Sequence, residues 1–146
     1  MAASKMVSGL VGAAAVTGLN YLGQRLTPQA PRLDALGRQA VRKTSNKVAG
    51  TQPDESTVQA TALGGDLISN SMIYSLAGVG RSRRPEMRGI LAGVAMGAAV
   101  VLLAPMLGLG KRNVGIGTKG KAMAIGQYAL GGLAAGLAHR VQRSLT

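Results

Sequence analysis

The sequence predicts an all-α integral membrane protein with four transmembrane helices. They are placed at about residues 6–24, 56–80, 89–110 and 122–140, with a short amphipathic helix at the membrane interface in the 25–55 loop. Three observations lead there. Charged residues make up only 15% of the chain, against about 25% in ordinary soluble domains. Long uncharged stretches alternate with segments rich in Lys and Arg. The apolar mass is small or aliphatic, with 22 Gly, three Tyr and neither Phe nor Trp. A soluble core of this size would normally bury area with aromatic rings. Close helix packing in lipid uses small residues instead, because they let backbones approach. Disorder accounts for a Gly-rich composition but not for long uncharged apolar runs. One transmembrane domain over residues 1–146 is expected, with no soluble domain.

The first span is Met6–Gln24, uncharged between Lys5 and Arg25 and just long enough to cross a hydrocarbon core of about 30 Å. Lys5 and the Ala13-Ala14-Ala15 run also fit a signal peptide; the expectation is a retained helix. Pro28 and Pro31 then break the chain. Beyond Pro31, residues Leu33, Leu36, Gly37, Ala40, Thr44 and Val48 share one face at helical spacing. Arg32, Asp34, Arg38, Arg42 and Lys43 fall elsewhere, a pattern suited to a helix resting on anionic lipid. The Thr51–Glu55 stretch reads as a turn and helix start. Pro53 suits a first turn, and Asp54 and Glu55 complement the helix dipole.

The second span, to about Gly80, is the least apolar. The turn Arg81–Arg88 is strongly basic, and its Pro85 fits a helix start. The third span, Gly89 to about Gly110, carries no charge, and Pro105 in its last third is expected to kink it. A Gly-rich basic loop over Lys111–Lys121 leads to the fourth span, Ala122–Ala138, extended through His139 and Arg140 by a snorkelling arginine.

Four spans place both termini on one side, and a bacterial inner membrane is the expected location. Of the 17 Lys/Arg, ten lie in the 25–55 and 111–121 loops and seven at the termini and the 81–88 turn. That balance leans toward cytoplasmic loops. The net charge of +12 would suggest nucleic acid on a soluble protein. Here the basic residues flank apolar runs, so Arg81, Arg83, Arg84, Arg88, Lys111 and Arg112 are read as contacts to anionic lipid headgroups. Stacking aromatics for nucleic acid are lacking, and no nucleic-acid partner is expected.

Two patterns stand out. Gly89, Gly93 and Gly97 recur every fourth residue and form a nearly flat stripe, and Gly132 and Gly136 make a shorter one. Such stripes admit a second helix at close range, either within one chain or between subunits. In the second span Asp66, Asn70 and Tyr74 follow at i, i+4 and i+8, with Gln59 on the same face. A carboxylate within a membrane faces protein or water and marks either a proton or cation site or a hydrogen-bonding seam between helices. It also fits a later helix start that leaves Asp66 near the interface. Thr17, Asn20, Tyr21 and Gln24 make a related stripe able to meet it in an antiparallel hairpin. Tyr21 and Tyr128 also suit interfacial anchors, and His139 a helix C-terminal cap.

With no cysteine, thiolate metal sites and Cys nucleophiles are excluded. The five acids form no paired motif, and no hydrolase, zinc or phosphate-loop signature is present. No enzymatic role, cofactor or metal is expected. The expected function is a structural or accessory membrane subunit that assembles through Gly-rich faces into a homo-oligomer or larger complex. The alternative is an oligomeric ion channel, or proton-coupled small transporter, lined by the polar face of the second span.

Overall fold

Local signals set the helix ends. In the computed structural model, which describes residues 2–80 and 83–146 with the Lys111 side chain excepted, the described residues form five α-helices. They are α1 (Ala2–Leu26), α2 (Leu33–Ala49), α3 (Glu55–Ser75), α4 (Pro85–Met106) and α5 (Gly117–Ser144). Helix α1 ends where Pro28 and Pro31 remove backbone donors. Helix α2 closes on Gly50, whose left-handed φ of 66° lets its N–H reach the Asn46 carbonyl. Pro85 opens α4 at a position where no backbone N–H is required.

Several boundaries differ from those read off the sequence. The second span was expected to reach Gly80, but α3 stops at Ser75 and tightens into a 3-10 turn over Leu76–Gly78. Helix α4 starts at Pro85, as that proline suggested, four residues before the uncharged span, and Pro105 ends it rather than kinking it. The break follows at once, with Gly108 in the left-handed region. The expected loop through Lys121 is shorter, because α5 already begins at Gly117 and runs to Ser144. Basic residues are good helix formers, so charge marks where an apolar run ends, not where a helix does.

The helices are arranged in a row. Helix α4 packs along α5, α5 along α1, and α1 along α3, while α3 and α4 scarcely touch. Helix α2 packs against α3 at one end of the row. A small core of Val16, Tyr74, Tyr128 and Ala135 ties α1, α3 and α5 together. Ser4 and Lys5 of α1 and Thr146 beyond α5 line one pocket, together with Gly78 and His139.

Among the described residues two helices, Ala2–Leu26 and Pro85–Met106, are long and apolar enough to cross a membrane. Helices α3 and α5 carry more polar residues, including Asp66 and Asn70 in one and Lys119, Lys121 and Arg140 in the other.

Candidate functional site

The glycine stripes meet each other inside the chain. Gly89, Gly93 and Gly97 are all buried on α4. A methyl group on Gly89 would overlap the Gly132 carbonyl, one on Gly93 the Tyr128 carbonyl, and one on Gly97 would lie 2.7 Å from the Ile125 Cα. On α5, Gly132 faces Gly89 and Gly136 faces the backbone of Pro85 and Glu86. The same close fit joins α1 to its neighbours: Gly9 abuts the Ser71 carbonyl, and Gly12 the Gly131 carbonyl. These α1 contacts have no repeating spacing that would single them out in so Gly-rich a chain.

The polar stripe of α3 divides in two. Gln59, Asp66 and Asn70 line a cavity of about 50 Å³ between α1, α2 and α3, while Tyr74 does not. Tyr74 is fully buried, and its hydroxyl donates to the Tyr128 carbonyl at 2.8 Å, pinning α3 to α5. Thr17, Asn20 and Tyr21 of α1 face the same cavity, so the antiparallel meeting of the two polar stripes is realised. Within it the Asn70 amide donates to the Asp66 carboxylate at 3.0 Å. The Asn70 side-chain oxygen is buried with no hydrogen-bond partner, and the buried Thr17 hydroxyl lies within reach of the Asp66 carboxylate.

Helix α2 supplies two side chains that fall outside its apolar face. Asp34 and Arg38 turn inward and line the cavity, joined at 2.9 Å. Val48, from the face expected to be apolar, is 81% exposed instead. The inward turn has a cause in α1, where Gln24 donates to Asp34 at 2.8 Å and to Asn20 at 2.8 Å. Asn20 in turn donates to the Pro31 carbonyl at 2.8 Å and to Gln127 of α5 at 3.3 Å. A continuous chain of side chains, Gln127–Asn20–Gln24–Asp34–Arg38, therefore crosses three helices. Burial opposes the charge on Asp34. The Gln24 amide, the Arg38 guanidinium and the Ala35 N–H outweigh it and hold the carboxyl below its ordinary value of 3.8.

The basic residues expected at lipid headgroups have mixed surroundings. Arg83, Arg84, Arg88 and Arg112 are exposed. Arg88 also donates to the Val79 carbonyl, closing the connection between α3 and α4. Arg81 and the Lys111 side chain lie outside the described residues. Lys43, on α2, caps the end of α4 by donating to the Leu107 carbonyl at 2.6 Å. His139 is buried against Gly78 rather than set at a surface, and Tyr128 belongs to the core. Tyr21 remains half-exposed.

No group of three or more His, Cys, Asp or Glu side chains is placed to hold a metal among the described residues. Comparison with protein-family models, with curated proteins and with solved structures gives no match.

Proposed function

We propose that the chain is a small integral membrane subunit, with α1, α3, α4 and α5 crossing a bacterial inner membrane, α2 resting at its surface and both termini on one side. Its role is structural or accessory, within a homo-oligomer or a larger membrane complex. The observation that carries this reading is the reversed distribution of side chains. Asn20, Asn70 and Gln127 are buried, while Leu22, Ile68, Leu91, Leu102 and Leu130 are more than half exposed on the four helices. In water that arrangement leaves large apolar surface unburied. In lipid it is the natural one, since apolar side chains need no shielding and polar groups must find partners within the protein.

The glycine faces support a subunit of fixed shape more than a sticky monomer, because they are occupied within one chain. Partner surfaces then fall to the outward aliphatic residues and to the basic flanks, which suit anionic headgroups. Gentle extraction from the native membrane, followed by the intact mass and identification of every co-migrating chain, tests this. Stoichiometric association with other membrane proteins supports the accessory role.

The Asp66 cavity favours a second reading, an oligomeric channel or proton-coupled small transporter that uses the polar face of α3. A homogeneous ring of this chain alone, with flux into liposomes that Asp66→Asn changes strongly, supports it. Flux that the variant leaves unaltered removes Asp66 from the mechanism.

A further inference from the structure

The cavity between α1, α2 and α3 carries an unbalanced charge. Its charged lining residues are Asp34, Arg38 and Asp66. Asp34 and Arg38 neutralise each other across 2.9 Å. Asp66 has no cationic partner among the described residues, and the groups that reach it are neutral, the Asn70 amide at 3.0 Å and the Thr17 hydroxyl. Carboxylates taken out of water in this way are normally paired or coordinate a cation.

The uncharged lining points the same way. An ionised carboxylate only accepts hydrogen bonds, so the contact from Asn70 fixes which way its amide faces and leaves the oxygen as the free atom. That oxygen is buried without a donor on a side chain only 1% exposed. The Thr17 hydroxyl, across the cavity lining on α1, is also buried and lies within reach of the Asp66 carboxylate. Buried polar atoms left over in a folded protein call for an explanation by water or an ion. Water supplies donors but leaves the charge. A proton cancels the charge but supplies one donor only.

We infer that this cavity binds one monovalent alkali cation, held by the Asp66 carboxylate, the Asn70 side-chain oxygen and the Thr17 hydroxyl. One uncompensated carboxylate matches one positive charge. Divalent calcium normally gathers about six to eight oxygens, several of them carboxylate. The cavity of about 50 Å³ exceeds the roughly 10–15 Å³ that one water occupies on the same measure, so an ion fits with water completing its shell. The site lies between α1 and α3, and its occupant joins the two helices. It therefore exists whether the protein is a structural subunit or a transporter.

The test uses the full-length protein in a neutral detergent, unfolded by heat and followed by circular dichroism at constant pH and ionic strength. Replacing choline chloride with sodium or potassium chloride is expected to raise Tm in a saturable way. In Asp66→Asn the rise is lost, while the variant in choline melts at or above the wild type, because the lone charge is gone. Thr17→Val shifts half-saturation to higher ion concentration. Equilibrium binding of radioactive sodium or rubidium to the wild type, expected at one ion per chain, gives an answer without any variant. An equal rise in Asp66→Asn, or less than a tenth of an ion bound per chain, overturns the proposal. So does a Tm that follows pH through Asp66 and ignores both alkali ions, which would assign the cavity to a proton.

Discussion

Gly89 of α4 and Gly132 of α5 each occupy the space the other's side chain would need. A methyl group on either overlaps the carbonyl of its partner. The α4–α5 contact is thus set by the absence of two side chains, and backbone meets backbone along the stripe.

That geometry separates glycines that matter from glycines that do not. Gly93→Ala is expected to destabilise by about 1–3 kcal/mol, since the added carbon meets the Tyr128 backbone, which has nowhere to go. Gly126, on the same helix α5, has nothing within 4 Å of an added carbon. Gly126→Ala is expected to be neutral or stabilising by up to about 1 kcal/mol. Thermal unfolding of the two variants in one detergent checks the contrast.

Tyr74 is expected to respond to truncation in two stages. Tyr74→Phe removes the hydrogen bond to the Tyr128 carbonyl and costs about 0.5–1.5 kcal/mol. Tyr74→Ala also empties a fully buried site at the junction of α1, α3 and α5 and costs about 3–5 kcal/mol. Equal losses for the two variants would mean that the hydroxyl, not the ring, holds the junction.

Asp34 makes docking of α2 sensitive to acid. Its carboxyl is held below 3.8 in the folded state, so the unfolded chain takes up the proton first as pH falls. The contribution of Asp34 is fully present above 3.8 and is lost as pH drops through the lower folded value. Melting temperatures between pH 7 and pH 2 are expected to fall more shallowly in Asp34→Asn than in the wild type over that acid range.

The membrane reading is tested on the outward face of α4. Leu91 is 63% exposed and Leu102 66%. Replacing both with Arg costs about 2–3 kcal/mol each if they face hydrocarbon, and the protein is expected to shift into the alkali-extractable fraction. Exposed residues of a soluble protein would accept the same change almost without effect.

The sequence by itself determined the helical class, the place of Pro85 at a helix start and the stripes on α3 and α4. Each of these rests on chemistry that acts along the chain, such as a missing N–H or a four-residue period. It also carried the meeting of Thr17 and Asn20 with Asn70, because polar faces on adjoining apolar helices seek one another. Other features were decided only by the tertiary structure. Whether the Gly89, Gly93 and Gly97 stripe joins helices or subunits was open, since the same packing forces serve both, and the fold placed Gly132 opposite. Asp34 and Arg38 fall outside the apolar face of α2 by their spacing. They turn inward because Gln24 of α1 offers a hydrogen bond there, and no periodicity within α2 encodes a donor on another helix.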